Sequence, residues 1–194
     1  MKKFAGFITA AAMLMLVGCN EMGKVVQGRV VAFDKDAKKV TFIEDKTAIP
    51  GKPDYSILPP DVYTIPSDEN EMGPAPKVGQ RLKLDTDKNT ITIFDMASQQ
   101  IKEIPYTPVD KKEKVKKDNP LVKDKKFPIV DKNAKTIEIY SKRQELLVKL
   151  SLPEEYFAMK DETWDAGDEI RIYYKEPGKA ERLMNVSKTD IFKK

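Results

Sequence analysis

The chain of 194 residues holds no histidine and a single cysteine. A Ser-His-Asp triad, a Cys-His pair and an imidazole metal ligand all need a ring nitrogen that titrates or coordinates near neutral pH, so none of them can be built here. Acid–base chemistry would fall to carboxylates, and the adjacent pairs Asp68-Glu69 and Glu154-Glu155 are the first candidates. Two carboxyl groups about 5 to 9.5 Å apart across a cleft can hydrolyse a glycosidic bond. Both pairs follow a proline closely, at Pro66 and Pro153, and are better placed to charge the first turn of a short helix. No serine is followed three residues later by lysine, which removes the Ser-x-x-Lys acyl-transfer motif. The run Asp85-Thr86-Asp87-Lys88-Asn89 alternates oxygen ligands as a calcium loop does. However, Thr90 and Met96 stand where that loop needs Gly and Glu. It is expected to be a hairpin tip, and neither a metal, a cofactor nor an enzymatic activity is expected.

Binding chemistry is better represented. Tyr55, Tyr63, Tyr106, Trp164, Tyr173 and Tyr174 offer flat amphipathic rings that could line a sugar or peptide groove, with core packing as the plainer account. Trp164, just before a Gly-Asp turn, and Tyr55, inside a Pro-rich stretch, are the two to test first. Between residues 111 and 126 lie eight lysines against Glu113, Asp118 and Asp124, a local positive field suited to headgroups or an acidic polymer. The candidate surface-binding set is therefore Trp164, Tyr55, Lys114, Lys116 and Lys117.

The remaining chemically distinctive residue is the cysteine, and its setting gives it meaning. Met1-Lys2-Lys3 is basic, Phe4 to Val17 is apolar apart from Thr9, and Leu16-Val17-Gly18-Cys19 follows. As a helix the apolar run would span about 21 Å, short of a hydrocarbon core of about 30 Å, so it reads as an export signal and not as a permanent membrane span. Leu16, Val17, Gly18 and Cys19 resemble, residue for residue, the lipobox of the bacterial lipoprotein class. The resemblance implies cleavage between Gly18 and Cys19, a diacylglyceryl thioether on the Cys19 sulfur and usually an acyl chain on its new amino group. Asn20, where an Asp tends to retain lipoproteins at the inner membrane, favours the outer one. Loss of the leader leaves 33 of the 35 basic side chains against 31 acidic ones, a nearly neutral body. An exported protein is not expected to meet nucleic acid. With one cysteine, no disulfide can close within the chain.

The elements that must position these residues repeat. Asp34 to Val40 matches Asp131 to Ile137, Thr64-Ile65-Pro66 matches Ser151-Leu152-Pro153, and Val78 to Leu84 matches Ala166 to Ile172, in the same order. The offset falls from 97 to 87–88 because the first copy carries a Pro-rich insertion, Ile49 to Pro60. Apolar residues alternate in each copy, as at Leu82, Leu84, Ile91, Ile93 and at Ile137, Ile139, Leu150, Leu152, which predicts half-buried strands joined by polar turns. Five strands with a short helix between the third and fourth resemble the OB-fold, as does the phrase Gly-Asp-Glu-Ile-Arg-Ile at residues 167–172. A different small barrel, or two meanders sharing one sheet, would satisfy the same pattern.

The expected protein is all-β, with two tandem five-stranded OB-like bodies. Residues 1–18 form the leader, 19–24 a lipidated tether of at most about 20 Å, 25–104 and 127–194 the two β domains, and 105–126 a Lys- and Pro-rich linker. Its expected role is non-catalytic: a membrane-anchored interaction or scaffold module on the periplasmic side that meets another envelope protein or a cell-wall polymer. Binding of a glycan or anionic ligand, and carboxylate-dependent glycan hydrolysis, are the alternatives.

Overall fold

The structure is a computed structural model that describes residues 22–49 and 52–189. The leader, Cys19 and the first residues of the tether lie outside the described residues. Within them the fold is all-β. Twelve strands run in chain order: β1 (Lys24–Asp34), β2 (Lys39–Glu44), β3 (Asp61–Thr64), β4 (Arg81–Asp85), β5 (Thr90–Asp95), β6 (Gln100–Pro105), β7 (Thr107–Lys112), β8 (Ile129–Asp131), β9 (Thr136–Ser141), β10 (Leu146–Ser151), β11 (Glu169–Tyr174) and β12 (Arg182–Asn185). Short 3-10 turns at Glu69–Glu71, Glu154–Ala158 and Asp161–Trp164 replace the predicted helices. No helix among the described residues is long and apolar enough to cross a membrane.

Local chemistry sets the hairpins. Asp34, Asp85, Asp95 and Asp131 each close a strand and accept from backbone N–H groups two or three residues on, at 2.8–3.1 Å. Each loop then ends on a residue with positive φ: Lys38, Asn89, Gln99 and Lys135. An Asx turn followed by a left-handed residue is a compact way to reverse a strand, and here it recurs without glycine. The duplicated hairpins at Asp34 and Asp131 share this geometry down to a φ of 52° at both Lys38 and Lys135.

Three antiparallel sheets result, with orders β12-β11-β1-β2-β3, β7-β10-β9-β8 and β4-β5-β6. This corrects the expectation of two sequential bodies, because strands sort across the copies. β11 and β12, from the second copy, pair with β1 of the first, with Val26 opposite Ile172 and Gly28 opposite Ile170. Conversely, β4 and β5 of the first copy contribute Leu84, Ile91 and Ile93 to a core shared with Ile137, Ile139, Val148 and Leu150 of the second. One body is thus built from residues 24–78 and 168–189 around Val30, Phe42, Ile170 and Leu183. The other spans residues 80–165. No closed barrel is formed among the described residues.

The crossing that makes this exchange is narrow. Residues 79–81 and 165–168 run antiparallel beside Val30. Gly79 N–H donates to Val30 O at 3.4 Å, Val30 N–H to Asp168 O at 3.0 Å and Arg81 N–H to Asp165 O at 2.9 Å. A Cβ on Gly79 would lie 2.4 Å from Asp165 O, and one on Gly167 1.9 Å from Val30 O, so both positions require glycine. These are the glycines of the duplicated segments at Val78 and Ala166. A third apolar cluster, Val31, Ile43, Tyr55, Leu82 and Phe94, fills the joint between the bodies, with the Pro-rich insertion supplying Tyr55 and Leu58.

The expected linker 105–126 is also corrected. Residues 107–112 are β7, paired with β10, and the loop that follows is pinned to the outside of that sheet by Val115 and Val122 against Leu147. Val115 N–H donates to Glu145 O at 2.7 Å, and the Tyr140 hydroxyl donates to Val115 O at 3.0 Å.

Candidate functional site

Burial removes Trp164, Tyr55, Tyr63 and Tyr106 from the surface, while Tyr173 and Tyr174 are half-buried. Trp164 is fully buried (0% exposed) in the larger core and meets Tyr156 edge-on at 6.4 Å. It was expected as a surface platform. A short 3-10 turn carries it inward instead, and such a turn places its largest apolar residue where transfer from water gains most. Tyr55 is likewise a joint residue and not a binding ring: 8% exposed, it stacks over the Arg29 guanidinium at 5.2 Å and donates its hydroxyl to Glu169 at 3.0 Å. Burial drives the Tyr55 phenol well above its ordinary range. Tyr63 packs between Phe42 and Tyr174, and burial raises it to about 12.

One carboxylate of each adjacent pair is already engaged, Glu154 in one and Asp68 in the other. Glu154 pairs with Lys135 at 2.7 Å, which holds it below its ordinary value, the wrong direction for a general acid at neutral pH. Asp68 accepts from Asn70 N–H at 2.9 Å as a turn cap. Asp85, heading the calcium-like run, pairs with Lys83 and accepts from Asp87 and Lys88 N–H groups, which together lower it to about 2. No three metal-ligating side chains converge among the described residues.

Two groupings escaped sequence reasoning. Glu44 and Asp61 stand at the ends of neighbouring strands. Burial raises both carboxyls, and Asp61 raises Glu44 further. Only the pairing of β2 with β3, with Phe42 opposite Asp61, brings them together across the Pro-rich insertion. The second is the joint itself. Arg81 is 8% exposed and forms no ion pair among the described residues; its Nε donates to Trp164 O at 2.9 Å. Burial, then the nearby Arg29 charge, pull it down to about 10. Arg29 is held by Glu169 at 3.4 Å, yet its Nε is buried without a partner. A sequence signal did exist, since Arg81 and Glu169 occupy equivalent places in the two copies, which differ in charge there.

The exposed chemistry is cationic. Lys114, Lys116 and Lys117 are all exposed, on a loop whose Val115 and Val122 are buried against Leu147. Lys114, with a φ of 58°, also lines a shallow groove of ≈ 260 Å³ with Thr86, Lys111, Glu113 and Gln144. Lys111 pairs with Glu113 at 2.8 Å and Lys112 with Asp110, whereas the other six lysines of residues 111–126 have no such ion pair among the described residues. This surface can attract anions by charge, and its two nearest aromatic rings, Phe127 and Tyr140, are half-buried and packed on each other and on Val115 and Val122.

No curated protein and no solved structure matches the chain. One family does, over residues 21–194, starting two residues after Cys19 and covering every described residue. The chain belongs to DUF4881, a domain of unknown function.

Proposed function

We propose that this member of DUF4881 is a lipid-anchored protein of the bacterial envelope that acts as a non-catalytic interaction or scaffold module. The observation that carries this is the only cysteine of the chain standing at the end of a 14-residue apolar run, directly behind Leu16-Val17-Gly18. Each buried acyl methylene contributes about 0.8 kcal/mol, so two or three chains on Cys19 give durable attachment. β1 begins at Lys24, so four residues separate Cys19 from the fold, a reach of roughly 17 Å that keeps the first body near the bilayer. The outer membrane is the favoured residence, and an envelope protein or cell-wall polymer the favoured partner.

The first body takes an OB-like strand order without closing into a barrel among the described residues, and the two copies exchange their last hairpins. Support comes from the first body: its strand order, and a parallel bridge from Thr64 to Lys179 that brings the sheet's far ends together.

The test is to express the full chain in a double-membraned bacterium with an alkyne-tagged fatty acid. Wild type is expected to take the label, partition into detergent and show the mass of a chain beginning at acylated Cys19. Cys19→Ser is expected to remain unlabelled. An unprocessed leader or a bare thiol would overturn the anchor, and crosslinking in intact cells that repeatedly yields only the free protein would count against the interaction role.

A further inference from the structure

We propose that the lysine loop, residues 113–126, docks on an anionic phospholipid surface and so fixes how the body lies on its membrane. Charge is the first support. Residues 113–126 hold six lysines against three acids, a net +3 of the +4 carried by the whole chain. The rest of the molecule is therefore close to neutral, and the positive charge is concentrated on one loop. Lys114, Lys116, Lys117, Lys123, Lys125 and Lys126 are all exposed and without an ion pair among the described residues.

Shape is the second. Val115 and Val122 are buried against Leu147, with Phe127 and Tyr140 packed on them. Between these pins the chain makes tight turns at Asn119, whose side chain accepts from Leu121 N–H at 2.9 Å and whose carbonyl accepts from Val122 and Lys123 N–H groups. The lysines are thus presented on a fixed base, and less ordering entropy is lost on docking than by a flexible tail.

Composition selects the partner. Leu121, 39% exposed, projects from the loop between Lys117 and Lys123. An apolar side chain amid lysines, whose long stems let the charges reach headgroups, suits the interface of a bilayer. The loop contains neither an aromatic ring for stacking on sugars nor an arginine fork for bidentate binding of one phosphate. Point charges on flexible stems fit a diffuse anionic surface. The proposal draws on the lipid anchor for its biological setting, but its test does not need the anchor.

Residues 19–194 with Cys19→Ser retain every described residue and carry no lipid. They are to be sedimented with vesicles of phosphatidylglycerol and phosphatidylcholine, with pure phosphatidylcholine vesicles, and with polygalacturonate as a soluble polyanion. Binding to the anionic vesicles alone is expected, weakening as salt rises. The variant K116E/K117E/K123E is expected to lose about a hundredfold in affinity, at about fivefold per lysine removed from the surface. L121A is expected to lose severalfold, with circular dichroism unchanged in both. A charge-matched control at other turns, K35E/K132E/K179E, is expected to keep most of the binding. No binding to anionic vesicles, an equal loss in the control, or tighter binding to polygalacturonate than to vesicles at equal charge would overturn the proposal. A chain that takes fatty acid at Cys19 but fails here loses only the docking; one that docks without taking fatty acid loses only the anchor.

Discussion

The Tyr55 hydroxyl donates to Glu169 Oε2 at 3.0 Å, tying the Pro-rich insertion to a strand 114 residues later in the chain. Glu169 also holds Arg29, over whose guanidinium the Tyr55 ring lies. The insertion is therefore the cover of the joint between the two bodies. Removing the hydroxyl in Tyr55→Phe leaves the ring in place but deletes a hydrogen bond to a charged acceptor, worth about 1.5–3 kcal/mol. A loss of unfolding free energy of that order, read from a lowered urea midpoint, is expected, together with faster proteolysis within residues 45–60. An unchanged midpoint would mean that the insertion is held by Leu58 and the ring alone.

The crossing at Gly79 and Gly167 gives a sharper expectation. A methyl group at 167 would sit 1.9 Å from Val30 O, a backbone atom that cannot rotate away. Gly167→Ala is expected to destabilise by about 3 kcal/mol or more, beyond the usual range for overpacking. Gly178, where an added Cβ finds its nearest neighbour at 3.7 Å but φ is +81°, is the comparison. There the cost of Ala is conformational, about 1–2 kcal/mol. Thermal unfolding of both variants separates the two mechanisms.

Trp164 is the chain's only tryptophan and is fully buried, so its fluorescence reports the larger core. Emission is expected to shift to the red on unfolding and to be unaffected by soluble glycans. Trp164→Ala is expected to cost about 3–5 kcal/mol. A quenching or shift on adding a glycan to the native protein would return Trp164 to the candidate binding residues.

Acid should loosen the smaller sheet first. Asp85 is held at about 2 by Lys83 and its turn N–H groups, and Asp95 at about 2 by Lys102, Ser98 and Ala97. A carboxyl depressed by folding contributes stability that is present above its unfolded value near 3.8 and lost as pH falls towards 2. The melting temperature is expected to drop across that window, less steeply in Asp95→Asn. Glu44 and Asp61 have the opposite sign: raised by burial, they favour the fold at low pH and oppose it once ionised. Glu44→Gln is therefore expected to stabilise at pH 7 and to have little effect at pH 3, which thermal melts at the two pH values would check.

Local rules made much of the fold legible. The Asp-led turns at Asp34 and Asp131 and the alternation through Ile91, Ile93 and Ile137, Ile139 depend on neighbours in sequence, and they appear where expected. The exchange of hairpins did not show, because β4 and β11 present similar apolar faces and either could complete either body. The choice lies in the backbone at Gly79 and Gly167. The lysines at 111–126 concealed Val115 and Val122, seven residues apart, so a docked loop looked like a linker. Trp164 was misplaced for a related reason: flanking Asp165 and Gly167 indicate a turn but not the direction in which the turn points its ring. The Arg29–Tyr55–Glu169 contact joins residues separated by up to 140 positions and left no local trace.

The paired crossing also has a mechanical meaning. A single covalent thread between the bodies would let one swivel about the other, but two hydrogen-bonded backbones side by side behave as a ribbon, which bends in one plane and resists twisting. Whatever holds the first body by its leading strand thereby dictates the compass bearing of the second, including the face on which Lys116 and Leu121 stand.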